Sequence, residues 1–303
     1  MGINVEKLKR SLKNRTFIPV IIHALRNRWP LWWIRSKAIR EVQLEDRAYK
    51  ILKKKYASLI SNSFDESYLS EKVPKQIWIC WLQGMEKAPE LVKSCYRSLK
   101  KQFPDYIITV ISSENISEYI EIPDVIYKKW ENGVIGNAHF SDILRVELLR
   151  KFGGIWIDST VYCTGIPTLQ VIEKSPFFMY KSLSSVEERI SSSNWLIASI
   201  PNHPFMVTMS ELLRVYWTKE NVAIHYYLFH ILFTIIVESF PDLWKSVPTY
   251  TNATPHIMVN ELNNDFSKER YQQLCKISDF HKLNYKKDYS TESGTLYHYL
   301  LNQ

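Results

Sequence analysis

Glycine is scarce in this sequence, 8 of 303 residues, well under the usual share of about 7%. So little glycine leaves no room for Gly-rich linkers. No segment recurs with a period of 20–50 residues, which excludes solenoids and propellers. Cysteine is also sparse. Cys80, Cys95, Cys163 and Cys275 are too few and too scattered for a disulfide-stapled scaffold or a CxxC zinc site, so reduced thiols of a cytoplasmic protein are expected. Long hydrophobic runs are missing as well. Phe17–Leu25 is broken by Pro19 and His23, far short of the ~20 apolar residues of a membrane span, and no small-residue cleavage site follows it. Glu6 stands where a myristoylation signal needs Ser or Thr. Val222–Val237 is longer but carries His225 and His230 and stops before Pro241, which favours a buried core helix over a span.

What is present is a globular composition. The chain is 46% hydrophobic and 14% aromatic, too apolar for disorder and long enough for one large domain or two small ones. Its 39 Lys+Arg against 31 Asp+Glu give +8. Residues 1–55 hold 15 basic and 4 acidic side chains, which is +11, so residues 56–303 carry −3. The basicity belongs to an arm and not to the body. An arm of this kind seeks an anionic partner. Phe17, Ile21, Ile22, Leu25, Trp29, Leu31, Trp32 and Trp33 lie among its Arg and Lys residues, a composition suited to a helix in a membrane interface. The alternative is a helical arm packed on its own domain or on a second copy. No nucleic-acid-reading module follows, so no nucleic-acid partner is expected.

Along the body, Ile77–Leu82 reads as a buried strand closed by Gln83-Gly84, and Pro89–Lys101 as a helix with Leu91, Val92, Cys95, Tyr96 and Leu99 on one face. Ile107–Ile111 reads as a strand and Asn115–Ile120 as a short helix. Ala138–Phe152 reads as a helix ending on Gly153, and Ile155–Val161 as a third strand. This alternation predicts an α/β fold with a doubly wound sheet, its ligand crevice outside the carboxyl ends of the strands. Pro204–Trp217 reads as a further helix, and Phe280–Gln303 as a Tyr- and His-rich tail that returns over the sheet.

The strongest local signal is Lys151–Thr160, where a helix stops on Gly153-Gly154, a strand follows and Asp158 sits near its carboxyl end. An acid there suits a cation or a ribose, or merely caps the next turn. Upstream, His139, Asp142 and Arg145 are spaced i, i+3, i+6 and share one helical face. Arg supplies forked donors for phosphate or hydroxyl oxygens, and Asp accepts from sugar hydroxyls. A surface ion pair is the plainer alternative.

These residues carry a resemblance. Ala138–Arg145 followed by Gly153–Asp158 resembles the SD-x-LR…GG-x-x-x-D core of glycosyltransferase family 32, and within it the bacterial capsular polysaccharide synthesis transferases; the large clostridial glucosylating toxins are more remotely similar. The likeness extends to Val73–Trp81, Ser193–Ser199, Tyr227–His230, Thr254–His256 and Phe280–Leu283, so it spans about residues 70–300. It implies a GT-A fold, a nucleotide-binding doubly wound sheet flanked by helices, at residues 71–303; residues 1–70, the basic helical N-terminal arm read from composition, fall outside it. It also implies a nucleotide-sugar donor, a UDP-sugar first, and retention at the anomeric carbon. Carried over, Trp81 lies against the nucleobase with Ile79 and Cys80 as backbone contacts. Asp142 and Arg145 bind the donor sugar, Asp158 with Ser159 approaches the ribose and diphosphate, and Asn194 lies near the transferred sugar. A divalent cation, Mn²⁺ or Mg²⁺, is implied at Asp158 and His281, with His256 as the alternative ligand. One position departs from the GT-A pattern: the second acid of its DXD element is Thr160 here, and a neutral hydroxyl is a poor ligand for a hard cation.

The expectation is therefore a cytoplasmic hexosyltransferase, peripheral to the inner face of the cell membrane through residues 1–55. It would extend a lipid-linked oligosaccharide acceptor in capsule or exopolysaccharide synthesis. Two alternatives stay open: another sugar-nucleotide enzyme, a hydrolase or nucleotidyltransferase, and a non-catalytic membrane- or glycan-binding subunit.

Overall fold

The computed structural model describes residues 37–61, 71–182, 189–290 and 292–303. The aromatic, basic run up to position 36, which carries the membrane-interface expectation, lies outside the described residues. Inside them the chain begins with α1 (Lys37–Tyr56). Ala48, Tyr49, Leu52 and Tyr56 recur at helical spacing and are buried, so this helix joins the body's core through one face. The Tyr49 hydroxyl donates to Glu238 at 2.7 Å, and Lys53 reaches the same carboxylate at 2.8 Å.

The order then runs β1 (Gln76–Cys80), α2 (Glu90–Gln102), β2 (Ile107–Ile111), α3 (Ile116–Tyr119), α4 (Asp124–Glu131), α5 (Asn137–Phe152), β3 (Gly154–Ile157), β4 (Val161–Cys163) and α6 (Pro167–Ile172). It continues with β5 (Phe177–Lys181), β6 (Ser192–Ser199), α7 (Pro204–Lys219), α8 (Leu228–Ser239), α9 (Pro241–Ser246), α10 (Lys268–Ile277), β7 (Phe280–Lys282) and α11 (Leu296–Leu301). Five strands form one sheet in the order β2-β1-β3-β6-β5. β2, β1 and β3 are parallel, β6 is antiparallel to β3, and β5 is antiparallel to β6. Four of the five strands therefore share a direction. The fold is mixed α/β with a mostly parallel central sheet.

Strand side chains alternate between two faces. Trp78, Trp156, Phe177, Met179 and Ile197 pack on one side against α5, α7 and α8, with α1 outside them. Ile77, Ile79, Ile155, Ile157, Phe178, Leu196 and Ala198 pack on the other against α2, α6, β4 and β7. With both faces covered, the strands read as apolar runs and not as alternating ones.

Three expectations are corrected in detail. The strand expected over Ile155–Val161 is two strands, because the chain turns at Asp158–Thr160, where Val161 N–H donates to Asp158 O at 3.0 Å. The helix expected over Val222–Val237 begins only at Leu228. Before it, the Tyr216 hydroxyl donates to Val222 O and accepts from Ile224 N–H, both at 2.8 Å, which satisfies backbone groups that a helix would otherwise pair. The tail returns over the sheet only through β7, whose Phe280 packs on the sheet's second face. β7 pairs antiparallel with β4 in a separate two-stranded ribbon, and α11 lies on α2, where Ser94 Oγ donates to Leu300 O at 2.5 Å. Among the described residues, no helix is long and apolar enough to cross a membrane, and all four cysteines are free thiols.

Candidate active site

Two glycines set the site's frame. Gly153 ends α5 at φ 66° and Gly154 opens β3 at φ 96°, left-handed backbone that other residues rarely adopt. A Cβ on Gly154 would stand 2.5 Å from Gln76 O, so only glycine lets β3 lie this close to β1. Four residues on, Asp158 emerges just past the carboxyl end of β3. Beside it opens a cavity of about 550 Å³, lined among others by Trp81, Asp142, Arg145, Asp158, Asn194 and Lys282. That is the crevice expected for an open α/β sheet.

α5 delivers its polar face to the same place. His139 Nδ1 lies 3.7 Å from Asp142 Oδ2. Arg145 Nη2 is shared between Asp142 Oδ1 at 3.4 Å and Asp158 Oδ1 at 3.5 Å. Asn194, on β6, donates from Nδ2 to Asp142 Oδ1 at 2.8 Å and accepts from Arg145 through its backbone carbonyl. The Arg145 guanidinium lies 4.9 Å from the Trp156 ring centroid, and the Trp156 indole donates to Asp158 Oδ1 at 2.9 Å. Asp142, Arg145, Asp158 and Asn194 thus converge, with a guanidinium held in place by two carboxylates and a carbonyl. Burial alone would raise the Asp158 carboxyl's pKa. The charges of Lys282 and Arg145, with hydrogen bonds from Lys282 and Trp156, outweigh it and hold the group below the usual carboxylate range.

Cys80, Trp81 and Ser159 also line the cavity. Burial pushes the Cys80 thiol up to about 12, so it is no nucleophile at neutral pH. The Trp81 ring meets Tyr285 edge-on at 5.3 Å. Ile79 is different: its side chain is fully buried in the core on the far face of the sheet, which leaves only its backbone for any ligand.

The expected metal ligands are not brought to Asp158. His281 is buried in the ribbon with Nε2 at 3.1 Å from Thr164 Oγ1, and His256 holds Asn252 O through Nδ1 at 2.8 Å. Neither lines the cavity. The neighbour of His281 does. Lys282 Nζ donates to Asp158 Oδ2 and to Thr160 Oγ1, both at 2.7 Å. The residue-by-residue reading missed it because a strand of three residues has no pattern long enough to say which side chains face inward; the pairing of Val161 with Lys282 decides it. His230 was missed for a different reason: it lies in the first turn of α8, a helix buried on nearly all sides, where no polar stripe marks the residue that faces the site. It lines the cavity, its Nδ1 has no hydrogen-bond partner, and burial pushes its pKa down to about 4.

A divalent cation fits these residues poorly. Mn²⁺ and Mg²⁺ need several free oxygen ligands. Here Oδ2 of Asp158 and the Thr160 hydroxyl accept from an ammonium, and Oδ1 accepts from an indole. Among the described residues, no group of three or more His, Cys, Asp or Glu is placed to hold a metal.

Sequence comparison finds curated relatives over parts of the chain. The O-glycosyltransferase braB of Annulohypoxylon truncatum is 27% identical over 94 residues, 28% of this chain and 22% of that protein. The mannosyl phosphorylinositol ceramide synthase CSH1 of Saccharomyces cerevisiae is 25% identical over 203 residues, 64% of this chain and 45% of that protein. The chain thus spans less than half the length of either relative. Among solved structures, the PaToxG glycosyltransferase overlaps 69% of this chain and 84% of its own, at 17% identity and a TM-score of 0.39, a distant likeness only. A family model described as capsular polysaccharide synthesis protein matches residues 28–300, nearly the whole described body with Asp142, Arg145, Asp158, Asn194 and Lys282 inside it, and the chain belongs to that family.

Proposed function

We propose that the chain is a glycosyltransferase: the cavity takes a nucleotide-sugar, a UDP-sugar first, and the sugar passes to a saccharide acceptor in capsule or exopolysaccharide synthesis. The observation that carries this reading is the sharing of Arg145 between Asp142 and Asp158 at the carboxyl ends of parallel strands, in a cavity of about 550 Å³. A bound sugar offers hydroxyls to Asp142, Asn194 and His230, and a ribose offers them to Asp158 and Ser159. A nucleobase finds an aromatic wall in Trp81. The names of the two curated relatives, an O-glycosyltransferase and a mannosyl phosphorylinositol ceramide synthase, are in keeping with this reading, as is the family's description. The acceptor proposed is lipid-linked, met at an anionic membrane surface through the basic arm of residues 1–55.

Transfer breaks the bond from the anomeric carbon to the diphosphate oxygen while positive charge develops on the sugar ring, so the protein's contribution is positioning and charge. A thermal-shift panel of UDP- and GDP-sugars tests donor binding. Product analysis with and without a saccharide acceptor follows, the anomeric outcome being read by NMR. A donor that raises the midpoint and is consumed only with acceptor supports transfer. Release of free sugar at the same rate without acceptor would make the chain a hydrolase, and no midpoint shift from any donor would remove the nucleotide reading.

A further inference from the structure

We propose that Lys282 takes the place of the divalent cation at this site: its ammonium binds the diphosphate, and donor binding needs no metal. The inference rests on the nucleotide-sugar reading above and deepens it.

Lys282 bridges the two residues where a metal-binding pair would stand, Asp158 and Thr160, at 2.7 Å each. An ammonium has three N–H donors, so with these two used the third remains for a ligand oxygen on the cavity side. The local charge is consistent. Two carboxylates with a divalent cation sum to zero, and so do one carboxylate and one ammonium, which makes the hydroxyl at position 160 the partner that a lysine requires. A second carboxylate there would tie the ammonium up and leave the pair repelling a phosphate. Lys282 is also held firmly. β7 is fixed to β4 in register, Lys282 opposite Val161, and Leu283 N–H donates to Thr160 O at 2.9 Å, so the stem is anchored on both sides of the Asp158–Thr160 turn. The wider lining agrees. Lys87, Arg145, Lys282 and Lys286 line the cavity together with Asp142 and Asp158, an excess of two positive charges that suits a nucleoside diphosphate and not a neutral glycan.

In the reaction the anomeric carbon–oxygen bond breaks and its electron pair stays on the diphosphate. The acceptor hydroxyl oxygen bonds to the anomeric carbon, and its proton ends on the departing diphosphate. Lys282 keeps its protons throughout and hydrogen-bonds the phosphate oxygen on which charge accumulates.

Calorimetric titration of the full chain with UDP and with GDP, in excess EDTA and in Mn²⁺, is the test. For the nucleotide that binds, the affinity in EDTA should lie within about threefold of that in Mn²⁺. Lys282→Met should weaken binding in EDTA by about 30-fold, the loss of one charge-assisted hydrogen bond, and Lys282→Arg should retain most of it. Should Lys282→Met fail to fold, the wild-type comparison and Lys282→Arg decide. Binding by the wild type only in Mn²⁺ would overturn the proposal and leave the nucleotide-sugar reading standing, as would unaltered binding by a folded Lys282→Met. No binding of either nucleotide in either buffer would remove both.

Discussion

The Trp78 indole donates a hydrogen bond to the Gly153 carbonyl at 2.8 Å, tying β1 to the end of α5 where the chain reverses into β3. Gly154 lies against the same indole: a Cβ there would stand 3.2 Å from Trp78 Nε1 and 2.5 Å from Gln76 O. Gly154→Ala should therefore destabilise the protein by about 3 kcal/mol or more, through positive-φ strain and a backbone clash. Trp78→Phe, which leaves the Gly153 carbonyl without its buried donor, should cost about 1–3 kcal/mol. Urea unfolding checks both, and a Gly154→Ala midpoint equal to that of the wild type would contradict the packing described.

Glu147 is the deepest charge in α5, its side chain 2% exposed. Both its oxygens accept from Arg214 at 2.8 Å, and Ser210 and Arg150 complete the set. It explains why α5 lacks a clear apolar stripe: the helix is buried nearly all round, and its interior acid is fully paired. Glu147→Ala should cost about 1–3 kcal/mol, because it leaves the buried Ser210 hydroxyl without its acceptor and Arg214 and Arg150, both partly exposed, without their partner. Its effect on donor affinity in the folded fraction should be small, and a large effect would link α7 to the site.

At the site itself, Asp158→Asn and Arg145→Ala should each lower glycosyl transfer by at least about 100-fold, about 2.7 kcal/mol of transition-state stabilisation. Arg145→Lys should rescue little, since a point charge cannot span Asp142, Asp158 and the Asn194 carbonyl as a planar fork does. Near-normal turnover in either folded variant would detach these residues from the reaction.

How this site was legible, and where legibility stopped, follows from distance along the chain. Asp142, Arg145 and Asp158 lie within one helix–strand unit, so helical spacing and two glycines were enough to place them together. β1, α2, β2 and the Pro204 helix were equally readable from apolar periodicity. β5 and the ribbon were not, since β4 and β7 have three residues each and their inward faces are set by pairing across the fold. The choice between His281 and Lys282 is a choice between adjacent residues of one strand. A one-residue difference in register exchanges them, and nothing local distinguishes the two.

Acid should loosen the fold before it titrates the carboxylates. Burial pushes His203 down to about 3 and His230 and His281 to about 4, so all three are neutral in the folded chain at pH 5. In the unfolded chain they take up protons near pH 6.5. The unfolded state therefore binds more protons as pH falls below that value, and stability declines from about pH 6.5 towards pH 4 by up to about 1.4 kcal/mol per pH unit for each histidine. Asp158 and Glu147, both held low, add their loss only below about pH 4. Urea midpoints that stay level between pH 7.5 and 5 would contradict the burial of these rings.

Residues 1–36 hold eight Lys or Arg and a single acid, Glu6. Removing them should release the protein from anionic vesicles in a sedimentation assay while leaving its thermal midpoint in place, and salt should weaken binding of the full chain. Removal through residue 55 is a different experiment, because it also takes Tyr49 and Leu52 out of the core, and it should lower the midpoint sharply. If the shorter deletion still sediments fully, the arm is not the membrane contact.

The ribbon that brings Lys282 to Asp158 also sets when the two can meet. They are 124 residues apart, and at about 5–20 residues per second of synthesis the carboxylate waits roughly 6–25 s for its cation. During that interval β1, β2 and β3 can already pair, while Asp158 faces Arg145 alone. A nascent chain stalled between β6 and β7 should hence protect its sheet from proteolysis yet fail to retain a nucleoside diphosphate, so that binding competence is among the last properties the growing polypeptide acquires.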